Sequence, residues 1–178
     1  MKQNKQNPRN IGGIRRNTTV LFLTRAACVA AIYVVLTLLA MALGLDKGLI
    51  QLRFSEALCI LPVFFPAAVP GLLVGCFISN IVTGCAIWHI IFGSLATLIG
   101  AIGAYLLKKV PRPFAFTATL PNILSNTLIV PIILMYAYGV PGTYFAVMWP
   151  ILVSEIICAG IFGTVLYYPI DKVKGKIK

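Results

Sequence analysis

Acidic residues are scarce in this chain. Its 178 residues include only Asp46, Glu56, Glu155 and Asp171, and a single histidine, His89. Charged residues of both signs make up 11%, against about 25% in a soluble domain, so the chain cannot clothe a water-facing surface. The same scarcity excludes most catalysis. One histidine and four acids cannot fill a Ser-His-Asp set, and neither a Walker P-loop nor an H-E-x-x-H motif occurs. The five cysteines, Cys28, Cys59, Cys76, Cys85 and Cys158, form no C-x-x-C pair. They sit in or beside apolar runs, where cysteine acts as a small hydrophobe, and neither a zinc site nor a disulfide framework follows from them. No internal repeat is evident, which argues against an inverted-repeat transporter with its own alternating access.

What is present is hydrophobic: 60% of the residues, with a mean hydropathy of +0.95. At roughly 20 residues per crossing, the chain has room for about six transmembrane helices and little else. The expected fold is all-α, an integral membrane bundle of six helices in one membrane domain spanning residues 1–178. Residues 1–17 form a basic cytoplasmic tail, 18–170 the bundle, and 171–178 a second basic tail. Ala40-Met41-Ala42 resembles a signal-peptidase site, but the uncharged run Ala26–Leu45 is 20 residues long. A signal peptide's apolar region is about 7–15, so a retained first helix is expected.

The segments read as follows. Helix 1 ends near Leu45, and Gly44–Gln51 is a loop containing Asp46 and Lys47. Segment 2, about Leu52–Phe65, is short, carries Arg53 and Glu56 in its first turn, and is bent by Pro62, Pro66 and Pro70. Segments 3 to 6 cover about Ala67–Thr83, Ala86–Leu107, Phe116–Tyr138 and Tyr144–Ile170. Charge decides whether segment 2 crosses. The 15 Lys and Arg give a net +11 and lie mostly at the termini and around Lys108, Lys109 and Arg112. With six crossings all three clusters face the cytoplasm, as the positive-inside rule requires. Without an interleaved aromatic platform, that basicity reads as topology and not as nucleic-acid binding. Trp88, Tyr136, Tyr138, Tyr144 and Trp149 mark the outer interface, and Tyr167 and Tyr168 the inner one.

Two features carry functional information. Small residues recur every four positions: Ala26/Ala30 and Ala27/Ala31 in helix 1, Gly71, Gly75, Ser79 and Thr83 in segment 3, and Ala96, Gly100 and Ala104 in segment 4. Such stripes let helix backbones approach closely in lipid. In segments 3 and 4 internal packing suffices; in helix 1 the alanines serve either that or docking of another subunit. The second feature is a set of polar groups inside the membrane, where a mid-helix charge costs roughly 2.5–3.5 kcal/mol. Glu155 lies near the bilayer centre of segment 6, Asn126 midway along segment 5, and Asn80 in the outer third of segment 3. Arg53 and Glu56 open segment 2, and Trp88 and His89 open segment 4. All fall between the outer surface and the midplane, which implies a polar cavity open to the outside. Each has a plainer reading: Arg53 paired with Glu56 or with Glu155, Trp88 in the interfacial belt, His89 as a lone interfacial histidine, Asn126 tying two helices together.

The stretch Gln51-Leu52-Arg53-Phe54-Ser55-Glu56-Ala57-Leu58 is followed by Leu61-Pro62, the proline-bent Phe65–Gly71, Asn80 and Phe92-Gly93-Ser94-Leu95-Ala96-Thr97. Together these resemble the QueT group over about Ala26 to Ile170. That group consists of substrate-binding (S) components of energy-coupling-factor (ECF) importers assigned to queuosine precursors. The resemblance implies capture of a 7-deazaguanine base from outside, in a bacterial cell membrane. It also implies assembly with a transmembrane coupling subunit and two cytoplasmic ATPases. ATP is used by those partners, and no cofactor is expected in this chain. Docking through the helix 1 alanines Ala26, Ala27, Ala30 and Ala31 is implied, as is gating by the Gly44–Gln51 loop. The substrate-binding candidates are Glu155, Glu56, Arg53, Asn80, Asn126, Gln51, Trp88, His89 and Trp149. Glu155, with Glu56 second, would accept N–H donors from the base. The other acid would meet a cationic aminomethyl group. Asn80 and Asn126 would address the carbonyl edge, Trp88 or Trp149 would stack on the ring, and Arg53 would bind the carbonyl or hold Glu56. Two alternatives stay open: an S component for another vitamin or flat heterocycle, and a non-transporting structural membrane subunit.

Overall fold

A computed structural model describes residues 9–45, 51–109 and 111–176. The start of the basic tail (1–8), the loop residues 46–50 with Asp46 and Lys47, Val110 and the last two residues lie outside the described residues. Among the described residues the chain is helical and contains no strand. Helix α1 spans Arg9–Ala42, and a 3-10 helix follows at Phe54–Val63. Helices α2 (Ala68–Val82) and α3 (Ile87–Leu106) come next, then a second 3-10 stretch, Arg112–Thr119, that leads into α4 (Leu120–Tyr138). Helix α5 (Tyr144–Glu155) continues through a π-helical stretch, Ile156–Phe162, into α6 (Gly163–Lys176).

Among the described residues four stretches are long and apolar enough to cross a membrane: Thr18–Ala42, Ile87–Leu106, Pro113–Tyr138 and Tyr144–Val173. Segments 2 and 3 are shorter apolar helices, Phe54–Val63 and Ala68–Val82. At about 2.0 Å per residue the 3-10 helix reaches roughly 20 Å, as far as the α-helix of 14 residues expected there. Pro62 stands near the end of this 3-10 helix, and Pro66 and Pro70 lie beyond it, in the bend and in the first turn of α2, where a missing N–H is tolerated. Two boundaries differ from expectation. Helix α1 starts at Arg9, inside the stretch expected to be tail, because no proline interrupts the chain between Pro8 and Pro62. At the other end α6 runs past Ile170 to Lys176, through lysines that propagate a helix well.

The bundle is apolar outside and polar inside. Leu23, Val35, Leu124, Leu128, Phe145 and Val165 are all exposed, a coat suited to lipid and not to water. Ser79, Asn80, Thr97, Asn122, Ser125, Asn126, Ser154 and Glu155 are buried. Small residues bring the helices together. A Cβ on Gly71 would lie 2.7 Å from the Ala26 carbonyl oxygen, and one on Gly75 would lie 3.0 Å from Ala30 Cα. The Gly71/Gly75 stripe of α2 therefore packs on the Ala26/Ala30 stripe of α1. Ala96, Gly100 and Ala104 are likewise buried within the bundle. Tyr167, expected in the inner aromatic belt, is instead buried against Phe64, ring centroids 5.0 Å apart, while Tyr168 is exposed. Phe64, the residue that caps the end of the first 3-10 helix, gives Tyr167 an aromatic partner inside the bundle.

Candidate functional site

The polar interior centres on two carboxylates from distant parts of the chain. Glu56 stands on the first 3-10 helix and Glu155 at the end of α5, where the helix loosens into π geometry. Both are buried. Two asparagines of α4 bridge them. Asn122 Nδ2 donates to Glu56 Oε2 at 3.0 Å and to Glu155 Oε2 at 3.3 Å. Asn126 Nδ2 donates to Glu56 Oε2 at 3.3 Å and to Glu155 Oε1 at 3.1 Å. Asn122 and Asn126 are four residues apart, which puts both on one face of α4. Glu56 has two further donors: Tyr33 Oη of α1 at 2.6 Å and Cys59 Sγ at 3.4 Å.

Glu56 therefore accepts from four donors, and a carboxylate offers about four lone-pair sites. Among the described residues Glu155 accepts from only two, and it retains capacity for a ligand. Among the described residues neither acid forms an ion pair with Arg53, whose guanidinium meets His89 Nε2 at 3.2 Å. This removes direct pairing of Arg53 with Glu56 or Glu155, although all three line the same small cavity. The two acids face each other across shared neutral amides, in an interior where like charges repel strongly. Such a centre is complementary to a cation or to a molecule rich in N–H donors.

Two cavities adjoin it. The inner one, about 30 Å³, is lined by Glu56, Glu155, Asn126, Gly93, Thr97 and Ser154, among others. It is about large enough for a water molecule. The outer one, about 310 Å³, is lined by Thr37, Met41, Thr83, Cys85, His89, Leu134 and Tyr138, among others, and falls at the small end of ligand pockets. Gln51 and Arg53 line both and so stand between them. The Gln51 carbonyl accepts a hydrogen bond from Ser154 Oγ, tying the start of segment 2 to α5 beside Glu155. The Leu52 N–H bonds the Leu45 carbonyl at 2.9 Å, so the ends of the loop after α1 are pinned together next to the outer cavity. Whatever gating that loop performs falls on residues 46–50, outside the described residues.

The other expected site residues divide. His89 lines the outer cavity. Asn80 is buried just behind the wall: a Cβ on Gly93 would lie 3.5 Å from its Nδ2. Its side-chain contacts are sulfur atoms, Cys76 Sγ at 3.5 Å and Cys85 Sγ at 4.0 Å. Trp88 and Trp149 do not reach the site. They are 57% and 64% exposed on the outside of the bundle, and Trp88 stacks on Phe92 there. Neither is placed to cover a flat ring in either cavity. Asn122 and Tyr33 belong to the centre and carry no motif. The available signal is the four-residue spacing of Asn122 and Asn126 and, for Tyr33, a polar aromatic in the middle of an apolar helix.

Helices of spanning length, coated with apolar side chains and turning their polar chemistry inward, define an integral membrane protein. The family model of the QueT transporter matches residues 23–172. The chain belongs to the QueT transporter family. Its role is membrane transport and not enzymatic catalysis. No curated protein and no solved structure matches it.

Proposed function

We propose that this chain is the S component of an ECF-type importer in a bacterial cell membrane, and that it captures a queuosine precursor from outside. The observation that carries this reading is the buried pair Glu56 and Glu155, held by Asn122 and Asn126 with no cation in contact among the described residues. A 7-deazaguanine presents N1–H and an exocyclic amino group along one edge, and a carboxylate accepts both in a selective, charge-assisted contact. Glu155, with lone pairs to spare, is the ligand acceptor, and Glu56 is its partner. The base enters through the outer cavity, past Gln51, Arg53 and His89, and opens the inner one. Asn80 supports that wall from behind.

The chain crosses the membrane six times with both termini in the cytoplasm; the 3-10 helix and α2 make the two short crossings. Energy comes from ATP hydrolysed by two cytoplasmic ATPases, coupled through a transmembrane subunit. That subunit docks on the Ala27/Ala31 side of α1, since both alanines are exposed while Ala30 is buried against α2. Ligand-induced thermal shift of the purified protein with 7-deazaguanine bases tests the reading. Stabilisation by these bases is expected. Stabilisation by an unrelated vitamin alone would replace the substrate class, and no response to any small molecule would favour a structural subunit.

A further inference from the structure

The two acids line only the inner cavity and His89 and Tyr138 only the outer one, while Arg53 lines both and stands between them. The Arg53 guanidinium can only donate, so His89 Nε2 accepts from it, and a neutral ring then carries its proton on Nδ1. Nδ1 is buried and has no partner among the described residues. Tyr138 Oη accepts from the Ala86 N–H at 3.0 Å and lies beside Cys85 on the same wall. Arg53 brings a full positive charge to this wall without an acid in contact. The two acids, in turn, cannot serve opposite ends of a ligand. They share the amide nitrogens of Asn122 and Asn126, so they stand together at one end of the site.

We infer that the site is polar end to end and selects a base whose substituent, across the ring from its N–H edge, is an uncharged hydrogen-bond acceptor and not a cation. This rests on the proposed capture of a 7-deazaguanine. In such a base N1–H and the amino group lie on the six-membered ring, and position 7 lies across the bicycle on the five-membered ring. With the N–H edge on Glu155, the substituent at position 7 points back toward Arg53 and His89. A nitrile there accepts from the guanidinium. An aminomethyl group, charged at neutral pH, meets it as a like charge, an arrangement that suppresses wrong partners in desolvated interfaces. Turning the aminomethyl base around would seat the ammonium between the acids, but would then set the base's N1–H and amino group against the Arg53 guanidinium, itself only a donor. This reverses the simplest expectation, in which the second acid meets an aminomethyl cation.

The test is calorimetric titration of the purified full-length protein with 7-deazaguanine, its 7-cyano derivative and its 7-aminomethyl derivative. The 7-cyano base is expected to bind tighter than the 7-aminomethyl base by about tenfold or more. Arg53→Gln should collapse that gap from both sides, and Arg53→Lys, which keeps the charge, should preserve its direction. Tighter binding of the aminomethyl base by the unaltered protein, or a gap unchanged in Arg53→Gln, would overturn the inference while leaving base capture intact. If none of the three bases binds, the substrate reading itself falls.

Discussion

Gly100 of α3 leaves the space that Asn122 of α4 fills: a Cβ built on Gly100 would lie 2.6 Å from Asn122 Cα. The small residue thereby fixes where an amide can bridge two carboxylates on other elements. Gly100→Ala is expected to push α3 and α4 apart at this level. Overpacking costs about 1–3 kcal/mol, and the displaced Asn122 withdraws a donor from Glu56 and Glu155 together. A lower melting temperature in detergent and weaker ligand binding should appear in the same variant. A variant as stable as the parent, with the same affinity, would show that the helices yield without moving Asn122.

This relationship also marks how far the sequence reaches. Apolar runs and proline punctuation locate the elements, and the spacing of Gly71 and Gly75 foretells close packing. That much is local, and local pattern is legible. The intramembrane acids stand out because charge in lipid demands a reason, and the structure does bring Glu56 and Glu155 together. Their bridge is a different matter. Asn122 joins residues 66 and 33 positions away, and such a contact depends on how three elements pack, which no spacing rule encodes. The tryptophans mislead for a related reason. Periodicity says which residues open a helix but not which way it is rotated, and rotation carries Trp88 outward while His89, the next residue, turns in.

Glu155→Gln keeps the shape of the side chain and removes its charge. Among the described residues each Glu155 oxygen accepts from one asparagine amide, so the carboxamide's NH2 gives up one of those two bonds while the fold is retained. Ligand affinity should fall by roughly 1.5–3 kcal/mol, the worth of a hydrogen bond to a charged group. Titration with the tightest-binding base measures it. Unchanged affinity would remove Glu155 from the site.

Trp88 and Trp149 serve as the counter-test. Both lie on the lipid-facing surface, and surface changes away from a site usually stay within about ±0.5 kcal/mol. Trp88→Leu and Trp149→Leu should leave ligand affinity unaltered. A tenfold loss in either would mean that the bound state turns that ring inward.

Tyr33 supplies the shortest hydrogen bond to the acid pair, 2.6 Å to Glu56 Oε1. Tyr33→Phe leaves the ring in its packed place and deletes only the hydroxyl. Removing one partner of a buried acceptor costs about 1–3 kcal/mol, more where the acceptor is charged. A lower melting temperature in the ligand-free protein is expected. It would place Tyr33 as the residue that positions Glu56 from α1. No change would mean that Asn122, Asn126 and Cys59 suffice to hold it.

The two alanine stripes of α1 separate by experiment. Ala30 is buried, and α2 approaches it through Gly75. Ala27, three residues earlier, is exposed. A tryptophan at the two positions should therefore fail in different ways. Ala30→Trp must force α1 from α2, and since Tyr33, one turn further along, holds Glu56, both stability and binding should drop. Ala27→Trp projects into lipid in the isolated protein, so melting temperature and affinity should match the parent. If the coupling subunit docks on this face, the same bulk blocks the helix-to-helix approach that small residues permit, and uptake by the reconstituted importer should be lost. Normal uptake with Ala27→Trp would move the docking surface off this side of α1, while ligand capture would stand.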